Sequence, residues 1–177
     1  MLKFGNISLR PVEDLDLDVL FALESSFFLN TKSALFAADS FYKFKQRFYE
    51  TAFWGEEAGL ALILNAEGSI IGKLEYSQKS KESLDVSGII YKKEDRNKGN
   101  MTLALKSFSA FLFQKYKINR LQILVPDYNR AAIAAVQKCG FVFEGIARQA
   151  LYFGGRFIDL CQFALLREDC KNIEKLF

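Results

Sequence analysis

Apolar residues recur at helical spacing in four segments, and the longest of these follows a charged, glycine-containing stretch. An amphipathic helix places apolar residues three or four positions apart on one face. The strongest pattern therefore predicts a helix after Asn100, with a stripe of Met101, Ala104, Leu105, Phe108, Phe111, Leu112 and Tyr116. Weaker stripes predict three further helices: one starting near Glu13 or Asp14 (Leu20, Leu23, Phe27), one capped by Asp39 or Ser40 (Phe41, Phe44, Phe48, Ala52), and Arg130–Cys139 (Ala132, Ile133, Val136, Cys139).

Short apolar or alternating runs bounded by turn residues predict strands between these helices. An edge strand is expected over Leu2–Arg10, because Pro11 ends it. The other predicted strands are Leu60–Leu64, Ser69–Tyr76, Ser83–Tyr91, Leu121–Val125, Phe141–Phe153 and Arg156–Leu166, the last two joined by Gly154-Gly155. This order combines an antiparallel meander with a central strand–helix–strand unit, which indicates a mixed α/β (α+β) sandwich.

Composition narrows the class of protein. Half of the 177 residues are apolar and 25% are charged, the profile of a folded globular protein. Because no Pro-, Gly- or Ser-rich linker divides the chain, we expect one domain over residues 1–177. The net charge of +3 is spread along the chain, so nucleic acid is not the expected partner. Without a signal pattern or a long apolar run, the sequence is that of a cytoplasmic protein and no membrane partner is expected.

The chain contains no histidine, and this excludes several kinds of catalytic site. Ser-His-Asp and Cys-His catalysis and histidine-dependent zinc sites cannot be built, and no metal site is predicted. The three cysteines lack CxxC spacing. Cys139 would end a helix, where the dipole disfavours a thiolate, so it is not expected to be a nucleophile.

The stretch Asp95-Arg-Asn-Lys-Gly-Asn-Met101 lies between a predicted strand and the strongest helix. Backbone N–H groups at a helix N-terminus bind anions, and Arg96 and Lys98 add positive charge. Gly99 would let a phosphate approach the backbone closely. The same residues also fit a solvated loop, so this stretch alone does not define a site.

Three motifs in order resemble the GNAT acetyltransferase superfamily. Its Arg-x-x-Gly-x-Ala/Gly signature is similar to Arg96-Asn-Lys-Gly-Asn-Met101, and its second conserved block is similar to Asn129–Ala132 followed by Lys138–Phe141. The tail resembles the branch of ribosomal-protein N-terminal (alanine/serine) acetyltransferases at Glu144-Gly145, Arg148 and Gly155-Arg-Phe-Ile-Asp159. The resemblance covers roughly Ser69–Leu166.

The resemblance implies a GNAT-like mixed, mostly antiparallel sheet of six to seven strands with about four flanking helices. It also implies acetyl-CoA as co-substrate, with a backbone N–H stabilising the oxyanion where two strands splay apart. The cofactor-binding residues that it implies are Ile89, Ile90 and Tyr91 beside the pantetheine arm, Asn129 on its other side, and Arg96, Asn97, Lys98, Gly99, Asn100, Met101 and Thr102 at the pyrophosphate.

This chain departs from the family pattern at three positions. Met101 stands where alanine or glycine is usual, Val136 where many members have a tyrosine acid, and Ala132 where the branch often has serine. With those hydroxyls absent, Glu75 is the candidate general base, directly or through a water, although it also fits an outward strand carboxylate. Asp85, Tyr91, Tyr128 and Tyr152 are alternatives, and Asp159 is expected to be structural.

The acceptor is predicted to be a primary amine. An α-amine with a pKa near 8 is about a tenth neutral at pH 7, whereas a lysine ε-amine is only about 0.04% neutral. A site without an obvious strong base therefore favours attack by a protein N-terminal α-amine directly on the thioester. A small amine such as an amino-sugar nucleotide or aminoglycoside is the alternative, and no dense acidic cluster for a polycation is visible in the sequence.

Two further classes of protein stay open, a non-catalytic acyl-CoA-binding protein and an RNA-associated module. The aromatic-rich segment from Phe27 to Trp54, which includes Phe28 and Phe36, is expected to be mostly core, with an acceptor wall as the second interpretation. Ala150–Phe153 is a candidate edge for a homodimer.

Overall fold

A single eight-stranded sheet organises the protein in the computed structural model, which describes residues 2–31 and 40–172. The strand order is β1-β2-β3-β4-β5-β6-β8-β7, and every neighbouring pair is antiparallel except β5 and β6. The strands are β1 (Leu2–Phe4), β2 (Ile7–Pro11), β3 (Ala58–Leu64), β4 (Ile70–Ser80), β5 (Ser83–Ile90), β6 (Arg120–Pro126), β7 (Val142–Phe153) and β8 (Arg156–Leu166). The predicted mixed, mostly antiparallel class is confirmed.

The predicted count of six to seven strands is one too low, because Leu2–Arg10 is a hairpin and not one strand. Phe4 pairs with Ile7 across a two-residue turn. Gly5 has φ +55, a left-handed conformation that glycine adopts at little cost. The apolar positions shift by one residue across Gly5-Asn6, and the prediction of one continuous strand overlooked this shift.

Four α-helices flank the sheet in the described part of the chain: α1 (Leu17–Thr31), α2 (Phe41–Thr51), α3 (Asn100–Lys115) and α4 (Arg130–Lys138). A 3-10 turn over Asp14–Asp16, capped by Glu13, precedes α1 close to the predicted start. Ser40 caps α2 by accepting a hydrogen bond from the Lys43 N–H at 3.3 Å, while Asp39 lies outside the described residues. Among these described helices, none is long and apolar enough to cross a membrane.

The two faces of the sheet form two apolar clusters, which explains the alternation along the strands. On β3, Ile63 faces the cluster under α3 and α4, whereas Leu62 faces the cluster under α1 and α2. Phe108 of α3 is buried in the first cluster, and Leu20 and Phe44 are buried in the second. The predicted helix stripes are therefore the surfaces that cover the sheet.

A gap opens in the sheet between β5 and β6, its only parallel pair. The strands pair at Ser83–Asp85 against Arg120–Gln122, and beyond Asp85 no described residue of β5 pairs with β6. Among the described residues, the β5 backbone groups on that side therefore have no partner on β6 from Val86 to Ile90. Because β5 and β6 remain paired at Ser83–Asp85, the gap is an opening within one sheet.

Ser109 on α3 is fully buried, and its hydroxyl oxygen has no hydrogen-bond partner among the described residues. We expect Ser109→Ala to raise the free energy of unfolding by about 1 kcal/mol, because it removes a desolvated hydroxyl that is not hydrogen-bonded. Ser107→Ala is the matched control, since Ser107 is equally buried but its Oγ donates to the Leu103 carbonyl at 3.0 Å. Urea denaturation measures both; lower stability of Ser109→Ala would contradict the prediction.

Candidate active site

The N-terminus of α3 presents unpaired backbone donors beside a glycine. Gly99 is the N-cap with φ +80, and its carbonyl accepts the first helical hydrogen bond from the Leu103 N–H at 3.0 Å. Asn97 also has a positive φ, of 59, so the loop turns sharply before the helix. A Cβ built on Gly99 would meet no atom within 4 Å. The helix end therefore has the open space and the dipole that an anionic phosphate needs.

Arg96 is tied to the end of β5. Its Nε donates to the Ile90 carbonyl at 3.1 Å, and its second guanidinium nitrogen donates to the Tyr91 carbonyl at 2.7 Å. The guanidinium also lies over the Phe27 ring of α1, 5.6 Å from its centroid. Arg96 therefore holds the loop against β5 and α1, in addition to the phosphate role that the sequence predicted for it.

Asn100 also supports this loop from below. It is buried, its Nδ2 donates to the Asp95 carbonyl at 3.2 Å, and its Oδ1 accepts from Asn6 at 3.4 Å. Lys98 is exposed and Thr102 is half-buried. Of the residues predicted to bind phosphate, Lys98 and the backbone at Gly99 are thus exposed groups that a ligand could contact.

The unusual Met101 is accommodated by a glycine in β5. A Cβ on Gly88 would lie 3.0 Å from the Met101 methyl carbon and 2.6 Å from Leu74. A glycine at position 88 thus leaves the space that the larger residue of α3 occupies. The departure from the family's small residue is compensated inside the sheet, away from the loop itself.

The predicted pantetheine-binding residues lie along the gap and at its far side. Ile89 is half-buried and Ile90 is buried, while the Tyr91 N–H donates to the Ile71 carbonyl at 3.0 Å. Across the gap, Asn129 caps α4 by accepting from the Ala132 N–H at 3.1 Å. The Tyr91 backbone and the Asn129 carboxamide oxygen thus already have partners within the chain; their contact with the arm stays a prediction.

A cleft of about 1540 Å³ leads from the gap to the face covered by α1 and α2. Its apolar walls are Phe21, Phe44, Phe53, Trp54 and Leu60 on one side and Leu124, Pro126, Leu151 and Leu160 on the other. Part of the aromatic-rich segment therefore forms a cleft wall, while Phe41 and Phe48 pack against the core as expected. Phe36 and the side chain of Phe28 lie outside the described residues.

Carboxylates dominate the charged lining of this cleft. Two basic side chains, Arg47 and Lys73, accompany six acidic ones: Glu24, Glu50, Glu56, Glu57, Glu75 and Asp85. They come from α1, α2, the segment after α2, β4 and β5, and only Glu56 and Glu57 are adjacent in sequence. The absence of an acidic cluster in the linear sequence was therefore misleading, because folding assembles one.

Glu75 lies on β4 with its side chain 35% exposed, opposite Ser87 of β5. Its Oε1 lies 2.8 Å from the ammonium of Lys73, which is also 2.7 Å from Oε1 of Glu24 on α1. We call Glu24, Lys73 and Glu75 the ion triad. Burial opposes the charged form of Lys73, but Glu75 and Glu24 more than offset this and raise the pKa of Lys73.

Tyr91 closes the inner end of the ion triad. It is 6% exposed, and its hydroxyl donates to Oε1 of Glu24 at 3.4 Å. Burial, together with the charges of Glu24 and Glu75, raises the pKa of Tyr91 well above its ordinary value. Such a phenol cannot serve as a base near neutral pH. Of the candidate bases named from the sequence, Glu75 and Asp85 are the two carboxylates.

Asp85 occupies the point where β5 and β6 part, paired with Gln122. One of its carboxylate oxygens is buried without a hydrogen-bond partner in the described residues, and the other lies 3.6 Å from the Lys79 ammonium. Asp85 therefore lines the cleft as a second carboxylate, two residues along β5 from the position opposite Glu75.

The remaining candidates lie away from the ion triad. Tyr128 is half-exposed with its ring stacked on Phe153, and Tyr152 is exposed beside Phe157. Oδ1 of Asp159 accepts from the Gln149 N–H at 2.8 Å, a structural role as expected. Burial raises the pKa of the Cys139 thiol to about 12, which agrees with its exclusion as a nucleophile.

Two tyrosines fasten the segment that carries Glu56 and Glu57. The hydroxyls of Tyr76 and Tyr116 lie within hydrogen-bonding distance of each other and of the Gly55 carbonyl oxygen, which accepts from them. The pKa of Tyr76 lies above its ordinary value, mainly because the phenol is buried and secondly because it is hydrogen-bonded to Tyr116. This anchor fixes the outer wall of the cleft against β4 and the end of α3.

Sequence reasoning found Glu75 and the α3 loop but missed Glu24 and Lys73. Lys73 follows Gly72 in an apolar strand. A lysine buried at such a position needs an acidic partner, because an unpaired buried charge is costly. Nothing in the sequence identifies Glu24 as that partner. No group of three or more His, Cys, Asp or Glu side chains that could hold a metal ion occurs within residues 2–31 and 40–172.

Comparison with known proteins agrees with this geometry. A family model described as an acetyltransferase (GNAT) domain matches residues 6–142. YjcK of Bacillus subtilis, named as a probable N-acetyltransferase, is 28% identical over 180 residues, which cover 96% of this chain and 98% of YjcK.

Solved structures share the fold. RimL, the ribosomal L7/L12 alpha-N-protein acetyltransferase in complex with coenzyme A, matches with a TM-score of 0.78 at 17% identity, covering 92% of this chain and 94% of RimL. The spermidine N-acetyltransferase from Vibrio cholerae, in complex with CoA and spermine, matches with a TM-score of 0.79 at 19% identity, covering 93% and 98%.

The open helix end at Gly99 and the gap beside β5 fit an extended phosphate-bearing donor, in agreement with the family model that spans most of the chain. The protein therefore belongs to the GNAT family of acetyltransferases, enzymes that use acetyl-CoA as the acyl donor.

Proposed function

We propose that the acceptor is a protein N-terminal α-amine, which enters the cleft as an ammonium ion and attacks the thioester directly. The observation that carries this proposal is the open, acid-lined cleft of about 1540 Å³ that ends at the gap between β5 and β6. Small-molecule pockets usually measure about 300–1,000 Å³. A cleft of this size has room for the first residues of a polypeptide beside the end of the donor.

Acetyl-CoA supplies an activated acyl group in this reaction. The protein's part begins with Glu75, whose second carboxylate oxygen has no hydrogen-bond partner within the described residues and can accept the ammonium proton directly or through a water. The neutral nitrogen then forms the N–C bond, the C–S bond breaks, and the sulfur leaves with the electron pair and takes up the proton that the newly acylated nitrogen loses. Backbone N–H groups of β5 that face the gap are placed to donate to the carbonyl oxygen.

A cationic small amine is the second candidate, favoured by the six carboxylates against two basic side chains in the cleft. Several carboxylates lining one cleft attract an acceptor that carries more than one ammonium group. The two candidates differ in how the reactive nitrogen is activated. An α-amine loses its proton about 3 kcal/mol more easily than a primary alkyl ammonium with a pKa near 10.4.

The test is turnover of acetyl-CoA with matched acceptors, followed by thiol release. We expect a peptide with a free N-terminus to give kcat/KM at least about 100-fold above the same peptide with a blocked N-terminus and an internal lysine. A linear triamine serves as the third acceptor. A higher kcat/KM for the triamine than for the free peptide would replace the first candidate by the second, and no turnover with any amine would overturn both.

A further inference from the structure

Lys73 is a buried charge at a place where the fold would accept an apolar residue. It is 3% exposed in the middle of β4, and its neighbours across the ladders are Leu62 of β3 and Ile89 of β5. Moving an ammonium ion out of water costs several kcal/mol unless it is well paired. Replacing a buried ion pair by apolar residues is often neutral for stability, so packing alone does not account for this lysine.

Carboxylates from α1 and β4 contact the Lys73 ammonium. Glu24 on α1 and Glu75 on β4 lie 2.7 and 2.8 Å away, and the Tyr91 hydroxyl beyond β5 donates to Glu24. Glu75 and Glu24 are 35% and 21% exposed, so each carboxylate also reaches the cleft. One positive charge thus stands between two negative charges, and only the outer edge of this arrangement meets solvent.

We propose that Lys73 is a positioning residue: its ammonium fixes the Glu75 carboxylate at the cleft wall and compensates the charge of Glu24 beside it, so that Glu75 can receive the acceptor's proton. This inference rests on the proposed function of Glu75 as the base. Without the ammonium, two carboxylates would share one partly dehydrated site, where both cannot easily remain ionised. Without Glu24, the same ammonium would act on Glu75 alone.

The proposal predicts pH shifts of opposite sign for two substitutions. In Lys73→Met the acidic limb of the kcat/KM profile should move up by about one pH unit or more, because a stabilising positive charge is lost. In Glu24→Gln the limb should move down, because a repelling negative charge is lost. The double variant Glu24→Gln/Lys73→Met should return the limb towards that of the wild type, since the two charge changes cancel.

The experiment measures kcat/KM from about pH 3.5 to pH 9 with the peptide acceptor, so that the limb of a glutamate base lies inside the range. Acetyl-CoA affinity is measured by calorimetry, and thermal unfolding is followed for each variant. We expect the Lys73→Met rate to fall at least about tenfold at pH 7, because the carboxylate is no longer held in position, while acetyl-CoA affinity stays within about threefold. Limbs that stay at the wild-type pH in both single variants, or rate losses that only parallel losses of acetyl-CoA affinity, would overturn the proposal. If the wild type itself turns over no amine, the proposed function fails instead.

Discussion

Replacing Gly99 by aspartate is expected to weaken acetyl-CoA binding by at least about 100-fold, or about 2.7 kcal/mol. The substitution puts a carboxylate into the open space beside the α3 N-terminus, where a Cβ meets no atom within 4 Å. Like charges brought together without compensation cost several kcal/mol. The new carboxylate would also occupy the helix end as an internal anion and so compete with the pyrophosphate.

Gly99→Asn is the matched control for this prediction. Asparagine has nearly the shape of aspartate, and both tolerate the left-handed conformation at φ +80 better than other residues do. Backbone strain and bulk are therefore shared by the two variants, and charge alone separates them. Calorimetric titration of acetyl-CoA into both proteins measures the difference; equal affinities would show that the pyrophosphate does not bind at this helix end.

Local patterns were sufficient to predict the two helices that flank the proposed donor site. The stripe from Met101 to Tyr116 defines α3 because its spacing is helical and its first residues follow Gly99. The α4 segment is similarly well marked, with Asn129 as cap and Gly140 after its end. Such signals involve residues within a few positions of each other, so tertiary packing had little opportunity to override them.

The N-terminal hairpin shows where a local signal was overlooked. Apolar residues alternate at Leu2 and Phe4 and again at Ile7 and Leu9, so the alternation shifts by one position across Gly5-Asn6, a dipeptide typical of hairpin turns. The pairing of Phe4 with Ile7 depends on the sheet, because β2 has β3 as its other neighbour. The turn is therefore marked in the sequence, and the structure shows that both short runs form strands.

The acceptor side of the site could not be predicted for a different reason. Glu24, Lys73 and Asp85 are separated by 49 and 12 positions in sequence, yet line one cleft. Their proximity depends on how α1 packs on β4 and on how β5 parts from β6, neither of which is encoded by spacing. The residues of the proposed donor site are close in sequence, whereas those of the proposed acceptor site are brought together only by the tertiary structure.

The second large effect is expected for Glu75→Gln, which should lower kcat by about 100-fold or more. The amide keeps the size of the side chain but cannot take up the ammonium proton, so the contribution of general-base catalysis is lost. The Lys73 ammonium keeps Glu24 as a partner at 2.7 Å, which preserves part of the local structure. Acetyl-CoA affinity should change little, because the α3 loop is remote from this substitution.

Asp85→Asn is the comparison that makes this result decisive, because Asp85 is the other carboxylate candidate and lines the same cleft. It lies about 7–8 Å from Glu75, as the diagonal neighbour across β4 and β5. At that distance it can attract a cationic acceptor without touching the nitrogen that reacts. We therefore expect Asp85→Asn to raise KM more than it lowers kcat, measured by thiol release under saturating acetyl-CoA. The reverse pattern, with kcat lost in Asp85→Asn and kept in Glu75→Gln, would transfer the role of base to Asp85.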